Sequence, residues 1–369
     1  MNQQTTPNLT LFDLLARHWK RPSPVREIRF NVDDTLLAAR GEDGTVVFAR
    51  MADNEPPEAR IVTEGGQTGL KPREGRPAPL IITRVKDGSA IAADAGGGFL
   101  CGTGEGRLVR LSRAGETSEA MKVADHAVAA LERNAETERI VFVAGDRLTL
   151  LSGDGERVEL DLAGTATDRI ALSPDGTRLA LAGGERLEIR VVGSAMRSVF
   201  RLPVPAAVLT LAWSGDGRWL AAGLERHGLC LVDAIAGRPV QIEDFPGPVA
   251  DLCFGGEGAF IAAGAYRIAA WSMQPPPIAS SADGSLLTGR AGLALVTAVS
   301  AQPAGRLVAA GYANGQVVVA PLGSREDLIV RPAGAPVTAL AWTADGRHLA
   351  LGDEGGTLAV VTFPAQLFK

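Results

Sequence analysis

A block of about 40 residues recurs along this 369-residue chain, and the recurrence restricts its fold more than length or composition can. Four copies align directly: DRIALSPDGTRLALAGG from Asp168, LTLAWSGDGRWLAAG from Leu209, VADLCFGGEGAFIAAG from Val249 and VTALAWTADGRHLALG from Val337. Each is an alternating apolar stretch, a polar turn ending in glycine, and a second apolar stretch closing on small residues. Asp-Gly between two alternating runs is the strongest local signal of a β-hairpin. Glycine supplies the positive φ of the tight turn, and Asp tolerates the neighbouring turn position. Weaker copies begin at Arg26, Ser89 and Val296, and the most eroded one at Ala130. With the last turn residue as landmark, the copies fall at Asp34, Gly98, Glu138, Gly176, Gly217, Gly258, Gly305 and Gly346. The steps between them are 64, 40, 38, 41, 41, 47 and 41 residues.

That period is what four short strands and their turns require, so the chain is expected to be all-β, a closed propeller of four-stranded blades. The copy count predicts eight blades. The 44 glycines and 22 prolines suit a chain that reverses every few residues. Aromatic residues are only 5%, so Ala, Val, Leu and Ile must fill the core. The two long steps locate insertions. Residues 51–79, rich in Glu, Pro, Gly and Arg, read as an extended, mobile loop. Residues 273–284 (MQPPPIASSADG) read as an exposed polyproline-like excursion within the sixth unit. The eighth copy has only three strands before the sequence ends, so ring closure is expected to use an outermost strand from residues 16–23. Residues 9–19 carry near-helical spacing, consistent with a short helix ahead of it. The domain plan is then an N-terminal extension, 1–23, and a propeller, 24–369.

These turns carry a resemblance. Ser173-Pro174-Asp175-Gly176, Ser214-Gly215-Asp216-Gly217 and Thr343-Ala344-Asp345-Gly346, with third strands such as Leu229-Cys230-Leu231-Val232-Asp233 and Ile268-Ala269-Ala270-Trp271-Ser272, resemble the WD40-repeat superfamily from about Pro24 onward. The form is divergent. The family's Gly-His pair survives only in scrambled form as His227-Gly228, and no Trp-Asp dipeptide occurs. The resemblance implies a ring closed by strands from both chain ends, and seven blades, with one copy misread, as the family's usual number. It also implies partner docking on the face made by the second-to-third and fourth-to-first strand loops.

Catalytic constellations are not evident. The four histidines, at 18, 126, 227 and 348, each stand alone. The first strands, which would line the central channel, carry mostly Ala, Leu, Ile and Val, so neither a metal site nor a cofactor is expected. There is no GxSxG elbow and no GxxxxGK[ST] loop. Gly102-Thr103-Gly104-Glu105-Gly106 lacks the helix that makes a dinucleotide loop bind anions, and it reads as a hairpin turn. No catalytic residue is assigned, and the chain is expected not to be an enzyme; a lyase- or lactonase-type propeller that uses its channel for a small ligand is the alternative.

Surface residues remain. On the implied docking face the turns place Glu42, Asp43, Glu225, Arg226, His227, Tyr266, Arg267, Tyr312, Asn314, Asp353 and Glu354. Tyr and Arg are enriched at binding hot spots, and both tyrosines of the chain fall in this ring. Trp213 and Trp342, at equivalent first-strand positions, and Trp219 and Trp271 read as packing between blades. Trp19, outside the repeat and beside Arg17, His18, Lys20 and Arg21, either seals the ring or anchors a partner. The expected partners are other proteins. The net charge of −5, with 42 acidic and 37 basic residues intermixed, gives no footprint for nucleic acid. No run of 18 apolar residues and no secretory signal is present, so the sequon Asn8-Leu9-Thr10 goes unused. Cys101, Cys230 and Cys253 lack CxxC spacing and read as small buried thiols. Together these features predict a cytoplasmic scaffold that is monomeric by itself.

Overall fold

The Asp-Gly turns fold as their side chains dictate. In the computed structural model, which describes residues 9–367 except Ala124, Ala135, Ala304 and Gln366, Gly176, Gly217 and Gly346 take φ of 66°, 66° and 67°. Ser173 Oγ donates to Asp175 Oδ1 at 2.6 Å and accepts the Arg178 amide at 2.9 Å, which ties the first strand of the hairpin to the second. Ser214 and Asp216 repeat the arrangement, and Thr343 and Asp345 do so again. The serine hydroxyls hold the carboxyls of Asp175 and Asp216 below the usual range. In the eroded third copy Glu138 occupies the same left-handed position, with φ of 52°. An L-residue there costs about 1 kcal/mol, so Glu138→Gly is expected to raise stability by about that amount in urea unfolding. A loss of stability would show that the carboxylate makes a contact worth more than the strain.

Each blade is an antiparallel meander, and there are eight. Their innermost strands are Val25–Phe30, Gly88–Ala93, Val128–Asn134, Arg169–Leu172, Val208–Trp213, Leu252–Phe254, Val296–Ala301 and Val337–Trp342. Eight buried apolar clusters fill the eight seams between consecutive blades. The indoles of Trp213 and Trp342 lie in these seams, each donating Nε1–H to the blade before it, at Ala171 O and Ser300 O. Trp219 and Trp271 share the seam of blades 5 and 6.

The last blade is completed from the other end of the chain. Strand Ala16–Lys20 pairs antiparallel with Thr357–Thr362, Ala16 opposite Val361 and Lys20 opposite Thr357. Ahead of it lies the helix Leu11–Leu15, started by a capping box between Thr10 and Asp13. Arg17, 3% exposed, reaches into blade 1 and donates to the carbonyls of Arg50, Met51 and Ala52. Arg21 does the same toward Thr45. Asn8 of the sequon lies outside the described residues.

Residues 51–79 depart from the extended loop expected of them. They contain a 3-10 turn, Pro57–Arg60, and a hairpin, Ile61–Glu64 with Gln67–Leu70. The charged residues that gave the stretch its loop-like composition are what pin it. Arg60 is buried and donates to the carbonyls of Leu14, Glu55 and Lys71, and Arg73 pairs with Asp53. In blade 6 only three regular strands form, Leu252–Phe254, Phe260–Ala262 and Ala269–Trp271. After residues 273–284 the chain returns to the third of them through two isolated bridges, Ile268–Thr288 and Trp271–Ser285.

Candidate binding face and central channel

Loops that join second to third strands, and one blade to the next, gather at one end of the ring. Between Trp219–Leu224 and Leu229–Asp233 they expose Glu225, Arg226 and His227. His227 takes the left-handed conformation that tolerates a scrambled His-Gly pair, with φ of 63°. Asn314 and Glu354 are exposed as well, Asn314 capping its own turn by accepting the Gln316 amide and Glu354 lying 3.8 Å from Arg26. Arg267 is half-buried and Tyr266 is 47% exposed. The Tyr266 carbonyl accepts the Gly292 amide at 2.9 Å, so the loop from blade 6 to blade 7 lies beside it and presents Leu293, which is fully exposed. Leu293 escaped the sequence reading because it belongs to no repeat copy.

Two residues expected on this face are not available to a partner. Tyr312 is 3% exposed and packs in the seam of blades 6 and 7, where burial pushes its hydroxyl up to about 12. Asp353 is 1% exposed and bound to Arg331 at 2.9 Å. Both close the strands Leu307–Tyr312 and His348–Asp353, each of which runs one residue further than its turn signal implies. Trp19 seals the ring: its indole packs in the seam of blades 8 and 1 and donates to Ala78 O at 2.8 Å.

The central channel also differs from its expected apolar lining. It encloses about 450 Å³, walled by all eight innermost strands, and seven of its wall residues are charged: Arg26, Glu27, Arg29, Arg40, Asp168, Arg169 and Asp251. A β-bulge near the start of the first strand in six blades, as between Val25 and Glu27, contributes in blade 1, whereas Asp168, Arg169 and Asp251 come from the two blades without one, at or just ahead of the start of their first strands. A bulge shifts which alternate residues face inward. Glu27 pairs with both Arg29 and Arg40 at 3.1 Å, and Arg169 with Asp168 at 3.2 Å. Asp251 accepts the Val299 amide at 2.8 Å and Glu132 the Leu172 amide at 2.8 Å, each from the following blade. Neither has a cation within ion-pair distance among the described residues. Desolvation therefore dominates and raises Glu132 to about 7 and Asp251 to about 6, with the charge of Arg29 opposing both shifts.

Among the described residues no group of three or more His, Cys, Asp or Glu is placed to hold a metal ion. The three thiols are free, and burial raises Cys101 and Cys253 to about 12 and Cys230 to about 11. No helix among the described residues is long and apolar enough to cross a membrane.

No protein-family model matches the sequence, and the search of curated proteins returned no match. The fold does match solved structures. One is a chain of the crystal structure of the mitotic checkpoint complex, 13% identical, with a TM-score of 0.57 over 75% of this chain and 87% of that chain. At the level of fold the chain is a β-propeller of eight blades.

Proposed function

We propose that the protein is a non-catalytic scaffold that binds other proteins through the loop face of blades 5 to 7. The observation that carries this is Tyr266 and Leu293, two large exposed side chains on loops that the hydrogen bond from the Gly292 amide to the Tyr266 carbonyl ties together. An isolated exposed apolar side chain needs no explanation, but an aromatic and a leucine on joined loops, with Arg267 next to the aromatic, have the composition of a binding hot spot. Rigid loops lose little entropy on binding, which favours affinity. The similar chain comes from the structure of a complex, which is in keeping with a role in an assembly. Three free thiols, none in a redox spacing, suit a reducing cytoplasmic setting.

The test is cross-linking with mass spectrometry in the native cell, comparing wild type with a Tyr266→Ser, Leu293→Ser double variant. Both side chains are exposed, so the variant is expected to melt like wild type while its cross-links on this face fall about tenfold, as removal of a hot spot predicts. Cross-links that persist at wild-type levels would place the partner elsewhere and end this proposal.

A further inference from the structure

We propose that the central channel is a separate binding site for a small zwitterion, such as a free amino acid or dipeptide, whose ammonium meets Asp251 and whose carboxylate meets Arg29. This does not rest on the scaffold reading, because the channel and the loop of Leu293 share no residue. The argument is one of unspent hydrogen-bonding capacity. Most charges in the channel are already answered. Arg40 is held by Glu27, and Arg169 is held by Asp168 and by the Leu209 carbonyl at 2.6 Å. Two are not. Asp251 takes backbone amides only, from Val299 and Leu252, although a carboxylate has about four acceptor sites. Arg29 has five N–H donors and is 56% exposed on the channel wall; among the described residues it is met by Glu27 and the Ile28 carbonyl, which leaves donors over.

An anion would satisfy Arg29 and leave Asp251 beside a like charge. A simple cation would satisfy Asp251 and face Arg29. A molecule carrying both charges answers both at once. The channel has room for it, since about 450 Å³ is the volume of on the order of fifteen waters. The walls also suit a polar guest: the threonines at 210, 297 and 338 line them, though two of their hydroxyls, on Thr297 and Thr338, donate to Val337 O and Val25 O and serve to join blades.

The decisive experiment is calorimetric titration of the full chain with alanine, glutamate, lysine and alanylalanine, each alone, against propylamine and propionate as single-charge analogues. At least one zwitterion is expected to bind about tenfold or more tightly than either analogue. Asp251→Asn and Arg29→Gln are each expected to weaken that binding about tenfold or more, with thermal unfolding confirming that both variants are folded. The Tyr266→Ser, Leu293→Ser variant is expected to bind the zwitterion as wild type does, so failure on the loop face and failure in the channel are read separately. Three results would overturn the proposal: no zwitterion bound below about 10 mM, an analogue bound equally well, or affinity unchanged in both channel variants.

Discussion

Removal of residues 1–22 is expected to open the ring, and Arg17→Ala alone to cost about 3 kcal/mol. Without the strand Ala16–Lys20, the buried strand Thr357–Thr362 becomes an edge whose amides and carbonyls have no partner. Such an edge recruits another strand, so the truncated chain is expected to elute as dimers and larger species in light-scattering chromatography. The helix contributes too, because Leu15 is part of the seam between blades 7 and 8. Arg17 isolates the electrostatic part of the closure. It is buried, its guanidinium meets three carbonyls of blade 1, and it lies 3.6 Å from Asp53. Truncation at Ala would leave those three carbonyls without their donor, although Asp53 keeps Arg73, whereas Lys would keep the charge and lose the fork geometry. Denaturant unfolding measures the point variant, and adding a synthetic peptide of residues 9–23 to the truncated chain tests the mechanism directly. A truncated chain that remained monomeric with an unchanged melting temperature would show that the ring closes without its N-terminal strand.

The parts of this fold that were legible are those whose cause is local. Ser173, Asp175 and Gly176 are within four positions of one another and bond to one another, so their spacing in the sequence already is the turn. Eight such landmarks counted the blades, and the missing fourth strand of the last blade pointed back to residues 16–23. What was not legible depends on groups that meet only in space. The composition of residues 51–79 looks like loop because nothing in that stretch shows that Arg60 will end beneath the Leu14 carbonyl. Tyr312 and Asp353 were placed in turns because a strand end cannot be fixed to one residue from its pattern. The channel was misjudged for a sharper reason. Ile28 has charged residues on both sides, and the bulge that decides between them leaves no mark in composition, while Asp168 and Asp251 stand just ahead of their strands, where alternation says nothing of facing. Asp251 and Glu132 come from blades three apart, so no local window contains both.

Glu132 yields the second large effect, a stability that depends on pH with an unusual sign. Most paired carboxylates stabilise a fold as pH rises above their unfolded range. Here the folded state raises Glu132 to about 7 and Asp251 to about 6, so the native ring holds protons that the unfolded chain has released. Their contribution is fully present below about pH 4, the usual carboxylate range, and is lost as pH rises through 6 and then 7. Glu132→Gln keeps an oxygen for the Leu172 amide and removes the charge. It is expected to match wild type at pH 5 and to exceed it at pH 8 by roughly 2 kcal/mol, a figure reduced because the residue keeps some contact with solvent. Asp251→Asn is expected to behave likewise with its transition near pH 6, and the double variant to flatten the wild-type decline between pH 5 and 8. Among the described residues the cation whose charge bears on both carboxyls is Arg29, already paired with Glu27. Urea unfolding at the two pH values decides the matter. If Glu132→Gln were the less stable protein at pH 8, the carboxylate would have to be paired and favourable, and the channel's unspent charge would have to be sought elsewhere.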